Sequence, residues 1–183
     1  MRLKEENILG ELGSAIGKGL LAGLAGTAAM TLSQMIEMNI TKREPSDAPS
    51  KAVSKVVDVK PVNEDEKEKV NNEIHWTYGT ALGISRGLIG LTGLKGWKAT
   101  ALHFGLVWGA SMVMLPKLKV APPVTEEEPQ AVAIDGFHHA VYALATGLAY
   151  DALDAGGRHE RKLNKLLTQL KDRGVISNIK KRF

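Results

Sequence analysis

The 183-residue sequence contains no cysteine, and only 5% of its residues are aromatic. The absence of cysteine excludes disulfide bonds, thiolate metal sites and cysteine nucleophiles. Signatures of soluble catalysis are also missing, because no serine-centred elbow, phosphate-binding loop or H-E-x-x-H helix occurs. The basic C-terminal segment has few aromatic residues and matches no nucleic-acid-binding module. We therefore expect neither an enzyme nor a nucleic-acid partner.

Charge is missing from long parts of the chain. Charged residues concentrate in three blocks, roughly residues 1–18, 42–73 and 158–183. Between these blocks, four segments are long enough to cross a bilayer as helices, which takes about 20 residues for ~30 Å of hydrocarbon. The four segments lie near residues 19–37, 75–94, 99–116 and 130–152.

The four segments lack the polar face, repeated every 3.6 residues, that helices on the surface of a soluble bundle show. The sequence therefore predicts an all-α protein, a four-transmembrane-helix bundle with short amphipathic surface helices, in which residues 1–157 form the membrane domain. One surface helix is expected after Pro49, and the charged segment Glu64–Asn72 is expected to extend the second span. The alternative is a soluble helical protein whose four helices are all central, but too little amphipathic chain remains to cover them.

Lysine and arginine near the span ends predict the orientation. Lys95 and Lys98 make the turn between the second and third spans basic, and residues 158–183 are rich in basic side chains. Cytoplasmic loops carry such an excess of Lys and Arg. We therefore expect a multi-pass protein of the bacterial inner membrane with both termini in the cytoplasm.

Residues 158–183 are predicted to form a basic, amphipathic cytoplasmic tail. Four leucines share one face of this segment, opposite its basic residues, and they are Leu163, Leu166, Leu167 and Leu170. Such a helix is typical of binding to an anionic lipid surface. A helix that binds a protein partner has the same pattern, so both interpretations stay open.

Nineteen glycines are many for a soluble helical protein, because each interior glycine costs about 1 kcal/mol relative to alanine. Several recur four residues apart, which lets membrane helices approach closely. The predicted packing positions are Gly19, Gly23, Gly79, Gly83, Gly87, Gly105 and Gly109. Packing within one chain and dimerisation both explain this spacing.

Polar residues inside the spans are the main functional clue, because placing them in lipid is expensive. With a rise of about 1.5 Å per residue, three of them lie near the outer face, at a similar depth, and two histidines follow one turn deeper. The cluster comprises Glu37, His75, Asp135, His138 and His139. It predicts a hydrogen-bonded network, a site for a divalent metal ion or a proton relay, or, less favoured, a haem site.

Arg86 and His103 form a second polar pair, about 10–15 Å from the cytoplasmic side at the helical rise per residue. One interpretation is an arginine that extends towards the membrane surface beside a core histidine. The other is a contact with an anionic lipid or a quinone headgroup.

A resemblance to a known family is carried by GLLAGLAGTAAMTLSQMIEMNITKREPSDAPS and, further along, by HWTYGTALGISRG, HFGLVWG and DGFHHAVYALATGLAYD. In these strings the chain resembles small bacterial inner-membrane proteins of the YagU type. The resemblance covers roughly residues 15–155 and leaves the tail outside. It implies a membrane protein and transfers no biochemical activity.

These features together predict a non-enzymatic accessory or scaffolding subunit of a larger membrane complex. Its partners would be the lipid bilayer, other membrane subunits and, through the tail, anionic lipid. The alternative is a metal-, haem- or proton-handling membrane protein that uses the outer histidine and carboxylate cluster.

Overall fold

The computed structural model describes residues 2–43, 48–57 and 64–172, and all regular structure within these ranges is α-helical. The predicted all-α class is therefore confirmed. The described residues form five helices: α1 (Arg2–Thr41), α2 (Ala48–Val57), α3 (Glu64–Leu91), α4 (Gly96–Lys117) and α5 (Pro129–Asp172).

Two of the four predicted membrane spans lie in helices that are long and apolar enough to cross a bilayer, and these are Ile8–Thr41 and Gly96–Lys117. The other two predicted spans also lie in long helices, α3 and α5. Those helices are less apolar because they carry Arg86 and His138 among their interior positions. Composition and length thus identify two candidate spans rather than four.

Helices α1 and α3 pack together more extensively than any other described pair. They are antiparallel, and small residues spaced four apart meet along the interface. A Cβ built on Gly19 would lie 2.6 Å from the Gly83 carbonyl oxygen, and one built on Gly23 would lie 2.9 Å from the Gly83 Cα. Only glycine therefore lets the two backbones approach this closely. The contact surface from Ala15 to Thr31 on α1 and from His75 to Gly87 on α3 is called the glycine ladder below.

The first part of α5 packs against the other three long helices. Its Tyr142 hydroxyl donates to the Gly79 carbonyl oxygen of α3 at 2.7 Å. Its Gly136 faces the Trp108 ring of α4. On α1, Gly26 leaves room for the Tyr142 ring, which a Cβ there would meet at 2.9 Å. Long helices α1, α3, α4 and α5 therefore form an antiparallel, up-and-down bundle within residues 2–150.

Helix α2 packs on α3 and α4 beside the C-terminal end of α4. Ala52 is buried there, and the Lys55 ammonium donates to the carbonyl oxygens of Leu118 and Lys119 at 2.7 and 3.0 Å. These oxygens follow the last turn of α4, where a cation offsets the helix dipole. The sequence predicts a short amphipathic helix after Pro49. Helix α2 is that helix, and it begins one residue before Pro49, at Ala48.

The chain divides into two compact units, with the boundary between Tyr150 and Asp151, inside α5. In the second unit the backbone is helical to Asp172. Side chains from residue 157 onwards, and the whole of residues 173–183, lie outside the described residues. The predicted amphipathic tail therefore stays a prediction.

The bundle has polar groups inside and apolar groups outside. Its largest fully buried side chains include Arg86, His103, His138 and Thr146, whereas most of the buried apolar residues are alanines. Large apolar side chains are exposed on all four long helices, among them Leu21 and Leu32 on α1, Leu88 on α3, Leu102 and Leu106 on α4, and Leu144 and Leu148 on α5.

Candidate functional site

Glu37 and His138 form a pair at the end of the bundle where α1 ends and α5 begins. The Glu37 Oε2 lies 3.6 Å from the His138 Nε2 and 2.8 Å from the Arg43 Nη2. His138 is only 2% exposed, whereas Arg43 reaches solvent. The carboxylate therefore lies between one buried imidazole and one exposed guanidinium.

Ser33 fixes the ring of His138. The Ser33 hydroxyl donates to the Met30 carbonyl oxygen at 2.9 Å and lies 2.6 Å from the His138 Nδ1. A hydroxyl has a single proton to donate, so the His138 Nδ1 is the N–H donor when that proton goes to the Met30 carbonyl oxygen. If the hydroxyl instead turns its proton to Nδ1, the neutral ring carries its N–H at Nε2, where it faces the Glu37 carboxylate. A proton bound at Nε2 converts this contact into a charge-assisted pair.

The same hydroxyl arrangement recurs at two other histidines. Ser85 donates to the Leu82 carbonyl oxygen at 2.7 Å and lies 3.0 Å from the His103 Nδ1. Thr31 donates to the Thr27 carbonyl oxygen at 2.8 Å and lies 3.0 Å from the His75 Nε2. The hydroxyl thus accepts from the imidazole in each case, which fixes one tautomer at each ring.

Asp135 and His139 make a separate pair on the outer side of α5. The Asp135 Oδ1 lies 3.3 Å from the His139 Nδ1, and the Trp108 Nε1 donates to the Asp135 Oδ2 at 2.9 Å. The Asp135 side chain is 52% exposed. This pair ties α4 to α5 and is open to the surroundings.

The five residues of the predicted cluster are therefore split among three places. Glu37 pairs with His138, Asp135 pairs with His139, and His75 bonds to Thr31. Within the described residues, no group of three histidine or carboxylate side chains is placed to hold a metal ion. The arrangement is closest to the hydrogen-bonded network, although the partner of His75 is a hydroxyl and not a carboxylate.

A haem site through His75 and His138 has no geometric support. Their partners, Thr31 and Ser33, are two residues apart on α1. Successive helical residues are rotated by about 100°, so these partners face nearly opposite directions. The two imidazoles thus lie on different sides of α1 and do not face each other across one ligand.

Arg86 and His103 lie deeper in the bundle, and both are fully buried. The Arg86 guanidinium carbon lies 4.6 Å from the centroid of the Tyr150 ring, a cation–π contact. The His103 and Tyr142 ring centroids are 5.7 Å apart. Arg86 does not extend to the bundle surface, so this part of the first interpretation is wrong, whereas His103 lies in the core as that interpretation expects. A lipid or quinone headgroup would have to enter the bundle to reach either side chain, and that contact stays a prediction.

A polar column runs along α5 that the sequence reasoning missed. His138, Tyr142, Thr146 and Tyr150 are four residues apart, share one face and are 0 to 5% exposed. The four-residue spacing was visible in the sequence. Threonine and tyrosine are common inside apolar helices, so this spacing alone does not predict a polar column.

A cavity of about 230 Å³ opens beside His138. Residues of α1, α2, α4 and α5, together with the segment between α4 and α5, line it with both polar and apolar groups. Its polar lining includes Gln34, Arg43, Ser111, Glu127, Asp135 and His138. His138 is thus the residue at which the cavity meets the polar column.

Among the predicted packing glycines, Gly19, Gly23, Gly79, Gly83 and Gly87 all lie in the interface between α1 and α3. Gly105 and Gly109 do not have this role within the chain, because no described atom lies within 4 Å of a Cβ built on either. They lie on a face of α4 that the rest of the bundle leaves open.

No protein-family model matches the chain, and searches of curated proteins and of solved structures also gave no match.

Proposed function

We propose that the chain is a four-span protein of the bacterial inner membrane that acts as a non-enzymatic accessory or scaffolding subunit. The observation that carries the membrane placement is the reversed distribution of polarity. Arg86 and His103 are fully buried, while leucines on all four long helices are exposed. Transfer of one exposed leucine side chain from water to an apolar medium contributes about 1.5–3 kcal/mol, so a bilayer is the better solvent for this surface.

The polarity of α3 and α5 supports four spans even though these helices are less apolar as a whole. Their polar residues point inward: Arg86, His138 and Thr146 are 0 to 2% exposed. Their outward residues include Leu88 on α3 and Leu148 on α5. Lipid therefore meets an apolar surface on each helix, which is the condition that a membrane span must satisfy.

The accessory role is supported by the open face of α4. A Cβ built on Gly105 or Gly109 would meet no atom of another described element within 4 Å. Leu102 and Leu106 beside them are exposed. Hydrophobic force does not draw helices together in lipid, so close contact at small residues is a main source of association. This face suits a helix of another membrane subunit.

Labelling at single cysteines tests the number of spans, because the chain has no cysteine of its own. We expect Thr41→Cys and Thr125→Cys to react with an impermeant maleimide from the periplasmic side, and Thr92→Cys only after permeabilisation. If α1 and α4 alone crossed the membrane, Thr41 and Thr92 would share a side and Thr125 would lie opposite. That pattern, or recovery of the chain in the soluble fraction, contradicts four spans. The unmodified chain is the control for background labelling.

Purification in a mild detergent tests the accessory role. We expect a complex larger than one chain that Gly105→Leu dissociates, because leucine blocks close approach at the open face of α4. Gly10→Leu is the matched control, since Gly10 is also helical and has no atom near its Cβ position. A lone monomer from the unmodified chain, with no co-purifying protein, contradicts the proposal.

The second candidate function is proton handling at the Glu37 and His138 pair. It is favoured by a buried imidazole that faces a carboxylate and also borders a cavity. Imidazole exchanges protons near neutral pH. Elemental analysis and absorption spectra separate this function from the metal and haem versions, since stoichiometric metal or a Soret band would contradict a purely protonic role.

A further inference from the structure

The cavity and the polar column meet at one residue. His138 lines the cavity and is also the first member of the column that continues through Tyr142 and Thr146 to Tyr150. The column runs from His138 to Tyr150 on α5, 12 residue steps or about 18 Å at the helical rise. Buried polar groups therefore extend from a cavity at one end of the bundle through a large part of its interior.

Polar side chains of the other helices also face the column. The His103 ring on α4 lies 5.7 Å from the Tyr142 ring, and the Ser85 hydroxyl lies 3.0 Å from the His103 Nδ1. The Tyr142 hydroxyl donates its proton to the Gly79 carbonyl oxygen, which leaves its oxygen lone pairs as acceptors. The interior at this depth is therefore lined by groups that exchange protons or accept hydrogen bonds.

Three buried atoms along the column make no close hydrogen bond within the described residues, although the His138 Nε2 faces Glu37 at 3.6 Å and the Thr146 hydroxyl lies beside that of Tyr142. They are the His138 Nε2, the His103 Nε2 and the Thr146 Oγ1. A buried polar atom without a partner costs about 1–3 kcal/mol, and small polar cavities meet this cost by binding water. Neighbouring members of the column are four residues apart, which is about 6 Å along the helix axis. One water molecule can bridge two side chains at such a separation.

We propose that the bundle conducts protons along this column, from the cavity through His138 and Tyr142, beside which His103 lies, to Thr146 and Tyr150, with water molecules as carriers between the side chains. At each step a nitrogen or oxygen accepts one proton and the next group receives one. One proton therefore enters and one leaves, and no oxidant or reductant is needed. The proposal rests on the membrane placement proposed above.

The charged groups around the entry are suited to a proton. Glu37 on α1 and Asp135 on α5 act on His138 with negative charge, and Arg43 acts with positive charge. Glu37 lies closest, at 3.6 Å, and is itself paired with Arg43. Burial and the Arg43 guanidinium oppose a proton at His138, whereas the Glu37 carboxylate stabilises the imidazolium.

Proton flux into vesicles tests the proposal. The full chain is placed in vesicles of phosphatidylcholine and phosphatidylglycerol that enclose a pH-sensitive dye, and a potassium gradient with valinomycin drives protons inward. We expect the unmodified chain to acidify the interior faster than protein-free vesicles do. His138→Gln and His103→Gln should reduce the rate to that of protein-free vesicles. His75→Gln is the matched control and should keep the rate, because His75 bonds to Thr31 outside the column.

Thr146→Val separates conduction from a purely structural role. Valine keeps the shape of the side chain and removes only the hydroxyl, which lies beside the Tyr142 hydroxyl. A structural role predicts lower stability with unchanged flux, whereas conduction predicts reduced flux. This variant keeps the test decisive even if the histidine variants fold poorly.

Three results overturn the inference. They are a rate for the unmodified chain equal to that of protein-free vesicles, an undiminished rate in Thr146→Val, and an equal loss in His75→Gln. Flotation of the vesicles and cysteine labelling show independently whether the chain is inserted. An inserted chain without flux refutes conduction alone, whereas a chain that does not insert refutes the membrane placement.

Discussion

The glycine ladder makes a quantitative prediction at Gly83, its most crowded position. A methyl group there would lie 2.6 Å from both the N and the Cα of Gly23, and closer still to the carbonyl oxygen of Gly19. These neighbours are backbone atoms, so no flexible side chain can move aside. Ordinary contact requires about 3.5 Å, so α1 and α3 must separate by roughly 1 Å in Gly83→Ala.

Overpacking of this kind costs about 1–3 kcal/mol. The matched control is Gly105→Ala, because Gly105 is also helical and has no described atom within 4 Å of its Cβ position. That substitution removes a glycine from a helix and should stabilise it by up to about 1 kcal/mol. Gly83→Ala gains the same helix propensity, so the two variants should differ by the overpacking cost alone, about 1–3 kcal/mol.

Reversible unfolding in mixed detergent micelles, followed by circular dichroism, measures this difference. Equal free energies of unfolding for Gly83→Ala and Gly105→Ala would show that the two backbones are not in contact at this position. The reasoning about the glycine ladder would then fail as a whole, because every rung depends on the same close approach.

Three further predictions follow from single contacts. Nitrogen-15 spectra should show the neutral ring of His103 protonated at Nδ1, since the Ser85 hydroxyl accepts from that atom; protonation at Nε2 contradicts the assignment. Tyr142→Phe should lower the free energy of unfolding by about 0.5–1.5 kcal/mol, the worth of its bond to α3, and an unchanged value would show that this bond is not formed. Lys55→Met should speed amide hydrogen exchange in α2, because its ammonium holds α2 against the end of α4; unchanged exchange would show that other contacts hold α2.

The helices could be predicted from the sequence because helix-favouring charged segments lie directly beside the long apolar segments, so that one helix continues through both. The charged residues from Glu64 onwards continue the second predicted span, and α3 does begin at Glu64. At the other end of the chain, α1 begins at Arg2, well before the span expected from residue 19, because the residues before it also favour a helix. Hydropathy marks the part of a helix suited to lipid and not its ends.

The composition of the site could be predicted only in part. The helical rise gives the depth of a residue but not the direction in which it points. Glu37 and His138 lie at similar depths on facing sides and meet, whereas His75 contacts another side of α1. The column through Tyr142 and Thr146 depends on which face of α5 turns inward. The face of each helix that turns inward is decided by packing among all four helices. The sequence of one segment alone does not show which face that is.

The glycine ladder has a consequence for how α1 and α3 find their alignment. Its rungs repeat every four residues, and several are chemically alike, so sliding one helix by a single turn still sets small residues against small residues. Glycines alone therefore permit several registers of similar energy. The Thr31 and His75 hydrogen bond at one end of the ladder, and the Tyr142 bond to Gly79 from α5, occur in only one of them. The glycines let α1 and α3 approach closely, and the few polar side chains select a single register between the two helices.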